Sequence, residues 1–290
     1  MKCELIADYA CEVGEGPLWH PQENRLYWAD IPRGRLFRYD PITDSHEQFY
    51  EGGVVGGFTI QEDGSLLLFM GKGAIATLRD GKIAYMVEGL AGEEGNRFND
   101  VFTDAGGRVF CGTMPSDPQR GDERLGTLYR LNRDGSIEPV ARNIGISNGM
   151  GLTPDRTGLY YTDTIENQIH RFDYDSITGQ ISNRTVFADT HGVDGLPDGL
   201  TVDSEGYVWS ARFGGSCVVR YSPEGKETQR IQVPTPKVTS VIFGGVQYSD
   251  MYITTAGGDD KKSNGELAGS LFRVDVGIKG VPEYQSLIGS

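Results

Sequence analysis

Oxygen-bearing side chains stand at the start of five of six similar segments in this 290-residue chain. Each segment starts with a polar or small residue, continues as a short apolar run, turns at Gly, Asp or Pro, and returns as a second apolar run. The six first positions are separated by 41, 43, 49, 50 and 41 residues and are Glu15, Gly56, Asn99, Asn148, Asp198 and Thr239. If they meet, two carboxylates and three amide or hydroxyl oxygens surround one point. Two carboxylates in a partly dehydrated space repel each other, and a divalent cation removes that cost.

Such a cluster predicts a particular kind of metal site. Oxygen ligands without His or Cys favour a hard ion, Ca²⁺ first and Mg²⁺ as an alternative, although Zn²⁺ and Mn²⁺ also accept carboxylates. An incomplete protein shell would leave room for water or substrate, as a catalytic metal requires. The alternative is that these polar residues cap strands or bind channel water.

The stretch GISNG, residues 145–149, offers a competing chemistry because it fits the serine-nucleophile pattern G-x-S-x-G. A nucleophile elbow needs a helix after the serine, whereas GMGLTPDRTGLYYTD follows here, with a proline, a turn and a β-rich run. We therefore expect Ser147 to support a strand entrance. Asn148 is then the ligand, and Gly149 lets the chain turn tightly beside the metal.

The elements that must position these residues are short strands. The chain has 41 glycines, many turn dipeptides and no long stretch with helical apolar spacing. A repeat of about 40–50 residues holding about four strands is the mark of a β-propeller blade. Six units predict an all-β, six-bladed propeller over residues 1–290 as a single domain, with residues 3–9 and 271–276 sharing the blade that closes the ring. An eight-stranded barrel or a sandwich would not explain six matched units.

Composition and charge restrict the classes of partner that this chain can bind. With 41 acidic and 27 basic side chains the formal charge is −14, which argues against nucleic acid or an anionic membrane as a partner. No stretch approaches the ~20 apolar residues of a membrane span. The start shows no secretory pattern. The four cysteines lack C-x-x-C spacing and suggest reduced thiols, with a Cys3–Cys11 disulfide left open. We expect a cytoplasmic protein without an obligate protein partner.

Five ordered motifs carry a resemblance that covers nearly the whole chain. They are GEGPLWHPQENRLYWAD, GNRFNDVFTDAGGRVFCGTM, ISNGMGLTPDRTGLYYTDT, PDGLTVDSEGYVWSAR, and TSVIFGG followed by MYITTA. As a set they resemble the SMP-30, gluconolactonase and luciferin-regenerating-enzyme family, which includes regucalcin. The resemblance implies a six-bladed propeller that binds one divalent cation in its central channel and opens sugar lactones.

The resemblance also implies roles for particular residues. The family's metal ligands fall on Glu15, Asn148 and Asp198, three positions that the repeat also selects. Its substrate-contacting residues fall on Arg97 and Asn99, and an acidic residue that contacts sugar hydroxyls falls on Asp117. The animal regucalcin pattern has Glu at that last position. The segment AGGDDKKSNGELAGS, which follows MYITT, is polar and Gly-rich and is expected to be a mobile rim loop.

The function that follows is metal-dependent hydrolysis of a sugar lactone, with Asp198 as general base or nucleophile. Three alternatives stay open on the sequence. The same site could serve a phosphotriesterase or aryl-esterase, the propeller could be a non-enzymatic Ca²⁺-binding regulator, or the chain could be a serine hydrolase. Propellers host many functions, so the site residues and not the fold carry the preference.

Overall fold

The computed structural model describes residues 1–117, 120, 123 and 126–289, and in them 24 strands form six antiparallel sheets of four. Blade I contains β2 (Gly14–His20), β3 (Arg25–Asp30), β4 (Arg35–Asp40) and β5 (Ser45–Glu51). Blade II contains β6 (Val55–Ile60), β7 (Leu66–Met70), β8 (Ile75–Arg79) and β9 (Lys82–Val87). Blade III contains β10 (Asn96–Thr103), β11 (Val109–Pro115), β12 (Gly126–Leu131) and β13 (Ile137–Ile144).

The remaining blades follow the same plan, and the six-bladed propeller predicted from the repeat is confirmed. Blade IV contains β14 (Ser147–Leu152), β15 (Gly158–Asp163), β16 (Gln168–Tyr174) and β17 (Ile181–Asp189). Blade V contains β18 (Leu196–Val202), β19 (Val208–Phe213), β20 (Cys217–Tyr221) and β21 (Glu227–Gln232). Blade VI contains β22 (Val238–Gly244), β23 (Asp250–Thr255), β24 (Ser270–Asp275) and β1 (Glu4–Asp8).

The ring is closed by the pairing of the first strand with the last. β1 runs antiparallel to β24, with Glu4 opposite Arg273 and Asp8 opposite Ser270. The Arg273 guanidinium lies 2.7 Å from the Glu4 carboxylate across this pair. The predicted sharing of one blade by residues 3–9 and 271–276 is therefore confirmed. The outermost strand of blade VI comes from the start of the chain and its other three strands come from the end.

The core lies between neighbouring blades. The inner strands β6, β14 and β22 are buried along their whole length, whereas the outermost β17 is largely exposed. One interblade cluster joins Trp209 of blade V to Phe243 of blade VI, with ring centroids 6.2 Å apart. Inner strands are thus buried on both faces. This explains why the residues after the polar first position form a continuous apolar run instead of alternating with polar residues.

The innermost strand is irregular at the same place in every blade. In blades III, IV and V two residues face one on the next strand, and the first of each pair is Asn99, Asn148 or Asp198. In blade I the bulge follows Glu15, and in blades II and VI the single extra residues are Gly56 and Thr239. A bulge breaks the regular alternation of side chains and re-aims one of them. The six first positions therefore lie in or directly before a bulge.

Beyond blade VI the chain forms a strap, residues 277–289, that crosses several blades. The amide of Ser204 in blade V donates to the carbonyl of Lys279, and the amide of Leu287 donates to Gly107 in blade III. Ser286 exchanges backbone hydrogen bonds with Ile60 and Glu62 of blade II. The strap thus links blades II, III and V across one face of the ring.

The polar segment expected to be a mobile rim loop contains helical turns instead. A 3₁₀ turn, Gly258–Asp260, leads into α1 (Lys261–Asn264), and the Asp260 side chain accepts a hydrogen bond from the Ser263 amide. Lys261 Nζ lies 2.6 Å from a carboxylate oxygen of Asp8. Among the described residues no helix has the length and apolarity to cross a membrane, and all four cysteines are free thiols.

Candidate active site and metal centre

Four of the predicted site residues lie buried at the bulges of four different blades. Glu15, Asn99, Asn148 and Asp198 retain between 4 % and 7 % of their possible exposure. Asn99 and Asn148 are in contact, because Asn99 Nδ2 donates to Asn148 Oδ1 at 3.0 Å. Asn99 Nδ2 also donates to the Ser147 carbonyl at 2.8 Å. Blades III and IV are therefore joined by a buried amide pair at the centre of the predicted site.

Arg97 extends this hydrogen-bonded group. Its Nη1 donates to Asn99 Oδ1 at 2.6 Å and to the Phe98 carbonyl at 2.9 Å. Burial lowers the pKa of Arg97 to about 10, against the effect of the Glu15 and Asp198 carboxylates, which raise it. A guanidinium with this pKa is charged near neutral pH and has donors beyond Nη1 for an oxygen-rich ligand.

The two predicted carboxylate ligands share an unfavourable environment. Burial, followed by repulsion from Asp198 and Asp100, raises the pKa of Glu15 well above its ordinary value. Burial, followed by repulsion from Asp100, raises the pKa of Asp198 in the same direction, whereas Arg97 opposes both shifts. The Arg97 guanidinium thus faces two carboxyl groups, which Asp100 also repels, and the excess of negative charge is what a bound cation would neutralise.

The donor set fits a hard divalent cation. Two raised-pKa carboxylates and the Asn148 amide oxygen supply oxygen ligands only, which suits Ca²⁺ or Mg²⁺ and is tolerated by Mn²⁺ and Zn²⁺. In the part of the chain that the structure describes, no group of three or more His, Cys, Asp or Glu residues could hold a metal. A cation here would therefore depend on an amide ligand beside its two carboxylates.

The other two repeat positions contribute no ligand in this arrangement. At Gly56 an added Cβ would lie 1.9 Å from the Phe98 carbonyl oxygen, so blades II and III approach too closely for a side chain. The Thr239 hydroxyl donates to the Gly14 carbonyl at 2.5 Å and lies 3.0 Å from Thr254 Oγ1. The Thr239 hydroxyl thus joins blades VI and I, and the convergence of all the oxygens on one point stays a prediction.

GISNG has no nucleophile elbow. Ser147 begins the buried strand β14, so the turn into a helix that a serine hydrolase needs is absent. Its side chain packs against Gly112 of blade III, where an added Cβ would lie 1.7 Å from Ser147 Oγ. The prediction that Gly149 permits a tight turn is wrong. An added Cβ there would lie 2.3 Å from the Leu200 amide nitrogen, so this glycine lets two inner strands approach.

Asp117 lies outside the buried group. It follows β11, is exposed, and its carbonyl accepts a hydrogen bond from the Arg120 amide. Most of the remaining positions between 118 and 125 lie outside the described residues. Its contact with a substrate hydroxyl stays a prediction.

Two carboxyl groups near this site, those of Asp100 and Glu283, were not predicted from the sequence. Asp100 lines a small cavity of about 50 Å³ together with Glu283 of the strap and the apolar side chains of Leu18, Phe58 and Met150. Burial raises the pKa of Asp100 to about 6, and burial with repulsion from Asp100 raises the pKa of Glu283 to about 7. Asp100 could have been found because it shares a bulge with Asn99. Nothing in the repeat points to Glu283.

The family profile described as "SMP-30/Gluconolactonase/LRE-like region" matches residues 13–257. The chain belongs to the SMP-30/gluconolactonase/LRE-like family. That span contains Glu15, Asn148 and Asp198 and all six inner strands. The resemblance inferred from the five sequence motifs is thereby confirmed.

Individual members of the SMP-30/gluconolactonase/LRE-like family are similar over nearly their full length. Pentonolactonase XacC of Haloferax volcanii is 48% identical over 296 residues, covering 99% of this chain and 98% of that protein. Regucalcin of Oryctolagus cuniculus is 34% identical over 292 residues, covering 98% of each. Among solved structures, a luciferin-regenerating enzyme is 30% identical, has a TM-score of 0.86 and covers 95% of each chain.

Proposed function

We propose that this protein is a lactonase that hydrolyses an aldonolactone to the free sugar acid with the help of one divalent cation. The observation that carries the proposal is the buried group at the bulges, where Glu15 and Asp198 have raised pKa values beside the Asn148 amide and Arg97. The relatives support the reaction class, since one is named a pentonolactonase and the matched family includes gluconolactonases.

Glu15, Asn148 and Asp198 are the residues that would hold the cation. When bound, it would supply an electrophile for the lactone carbonyl and for the oxyanion that develops there. We favour Ca²⁺ because all three ligands are oxygens and a flexible coordination number suits two carboxylates and an amide. Mg²⁺, Mn²⁺ and Zn²⁺ are the other ions to test.

The side chains of the chain itself divide the remaining work. Asp198 would accept the proton of the attacking water at a carboxylate oxygen. Arg97 and Asn99 are joined by a 2.6 Å hydrogen bond from Nη1 to Oδ1. They would orient the lactone carbonyl or a ring hydroxyl, which places the ester carbon near Asp198.

The substrate we favour is a five-carbon aldonolactone, because the relative at 48% identity is named a pentonolactonase. A hexonolactone differs by one hydroxymethyl group, which a channel mouth can accept or exclude. One group of that size changes kcat/KM by roughly 10–200-fold.

The experiment is a hydrolysis screen on metal-stripped protein. Pentono- and hexonolactones are followed in a pH-stat after reconstitution with Ca²⁺, Mg²⁺, Mn²⁺ or Zn²⁺, and a paraoxon-like ester and an aryl ester are run beside them. We expect lactone turnover that requires an added ion, with little turnover of either ester. Turnover of the phosphotriester alone would replace the lactonase assignment. Absence of turnover for every substrate, with an ion bound, would favour a non-enzymatic propeller.

A further inference from the structure

We propose that Thr164 is a positioning residue, which sets the orientation of the Asn148 amide and ties it to the strand that carries Asp198. The proposal rests on the proposed function, because it concerns Asn148 as a ligand of the cation. Thr164 ends the motif ISNGMGLTPDRTGLYYTDT, but nothing in that motif assigns it a role. It becomes visible only through its hydrogen bonds in the folded ring.

Thr164 bridges two neighbouring blades. It follows β15 of blade IV and is buried, with 5 % of its possible exposure. Its Oγ1 lies 2.9 Å from Asn148 Nδ2 and 2.8 Å from the carbonyl oxygen of Pro197. Pro197 belongs to β18 of blade V and immediately precedes Asp198. One hydroxyl therefore contacts one proposed ligand and the backbone next to another.

The direction of both hydrogen bonds follows from chemistry. A hydroxyl has one hydrogen to donate, and a backbone carbonyl can only accept. Thr164 must therefore donate to Pro197, and its lone pairs are left to accept from Asn148. Only the amide nitrogen of Asn148 can donate, so Nδ2 faces Thr164 and Oδ1 faces the opposite way. The amide orientation is fixed by this reasoning and does not depend on telling nitrogen from oxygen in the side chain.

The opposite face of the amide agrees with this orientation. Asn99 Nδ2 donates to Asn148 Oδ1 at 3.0 Å, which uses one of the two lone pairs of that oxygen. The second lone pair is available to a cation. A reversed amide would place its NH₂ group against Asn99 Nδ2 and toward the cation, which is repulsive on both counts. Thr164 and Asn99 thus hold Asn148 from two sides in the one orientation that can ligate.

Three variants test this role. Thr164→Val keeps the shape and removes the hydroxyl, whereas Thr164→Ser keeps the hydroxyl. Thr153→Val is the matched control, because the Thr153 hydroxyl is also in blade IV, donating to Asp155 at 2.6 Å and accepting from the Gly158 amide at 2.9 Å. It follows β14 at the end remote from Asn148.

The measurement is the Kd of Ca²⁺, Mg²⁺, Mn²⁺ and Zn²⁺ alone, by calorimetric titration of metal-stripped protein, with thermal melts in chelator to record the stability of the metal-free form. We expect Thr164→Val to weaken the Kd of the ion that binds wild type best by about 10–100-fold. Thr164→Ser should bind nearly as the wild type does. Thr153→Val should lower the melting temperature and leave the Kd unchanged.

The outcomes separate this proposal from the proposed function. An unchanged Kd in Thr164→Val, with wild type binding an ion, overturns the positioning role and leaves the lactonase assignment standing. An equal loss of affinity in Thr153→Val also overturns it, because any buried hydroxyl of blade IV would then suffice. A wild type that binds none of the four ions removes the cation from the proposed function, and the role of Thr164 with it.

Discussion

Asn99 Nδ2 donates to Asn148 Oδ1 at 3.0 Å while Asn99 Oδ1 accepts from Arg97 at 2.6 Å, so Asn99 connects the guanidinium of blade III to the amide of blade IV. Each inner strand leaves its regular pattern at the bulge, and the two amides meet only because both bulges lie at the same depth. The site is therefore a property of the ring and not of any one blade.

Replacing Asn99 with Ala removes both contacts at once. Arg97 loses an acceptor and Asn148 loses a donor, and a hydrogen bond to a charged group contributes about 1.5–3 kcal/mol. We expect kcat/KM for a lactone to fall by about 10–100-fold, with little change in the melting temperature. Steady-state kinetics and thermal melts measure these two effects. Asn132→Ala, a half-buried amide in blade III that donates to Ser136 Oγ, should keep wild-type kinetics, and equal kinetics in both variants would exclude Asn99 from the site.

Asp198→Asn tests the proton acceptor with the smallest change in shape. The amide cannot take a proton from water, so kcat should fall by about 10²–10⁴-fold. The rate in a pH-stat and the bound-metal content are measured together, because the carboxylate is also a proposed ligand and loss of the ion would lower kcat as well. A variant that retains its ion and near-wild-type kcat would move the general base elsewhere. Asp189→Asn, at an exposed carboxylate, should leave kcat unchanged.

Removal of the cation should destabilise the ring. Burial and repulsion from neighbouring carboxyl groups raise the pKa of both Glu15 and Asp198, and a bound ion relieves that repulsion. An ion present at 100 times its Kd contributes about 2.7 kcal/mol to stability. Thermal melts should show a lower melting temperature in chelator that is restored by the native ion. In the double variant Glu15→Gln with Asp198→Asn the shift should disappear, and a persistent shift would place the ion at another site.

The fold could be predicted from the sequence because it follows from a repeat, and the same repeat places the proposed ligands at matching positions of their blades. Blade period and turn residues predict the sheets. The first position of the repeat selects six residues, and the family resemblance selects Glu15, Asn148 and Asp198 among them as ligands. The role of Gly149 could not be predicted, because it depends on the distance between two blades. Thr164 and Glu283 were missed for the same reason: each is brought to the channel by packing or by the strap, and neither occupies a repeated position.

Ser147→Ala distinguishes the metal site from the serine chemistry suggested by GISNG. The Ser147 carbonyl, not its hydroxyl, accepts the hydrogen bond from Asn99, so removing the hydroxyl leaves that contact in place. We expect lactone turnover close to that of the wild type. Loss of turnover comparable to that of Asp198→Asn, in a variant that melts normally and binds its ion, would restore the serine as a candidate nucleophile.

Glu283 makes the stability of the metal-free ring depend on pH. Burial, and then Asp100, raises its pKa to about 7 from an ordinary value of 4.5, and burial raises the pKa of Asp100 to about 6. The folded protein therefore holds protons that the unfolded chain has lost, and stability must fall as pH rises from about 4.5 to 7. Glu283→Gln stays neutral, so it should flatten this fall.

Thermal melts in chelator at pH 5, 6, 7 and 8 measure that difference, because chelation removes the competing effect of a bound ion. The melting temperature of Glu283→Gln, relative to that of the wild type, should rise between pH 5 and 8. A residual slope should remain from Asp100, which shares the cavity, and from Glu15 and Asp198, whose pKa values are raised in the same direction. Glu62→Gln, an exposed position whose amide contacts the same strap, should follow the wild-type curve. Parallel curves for Glu283→Gln and wild type would mean that Glu283 loses its proton in the folded ring as readily as in the unfolded chain.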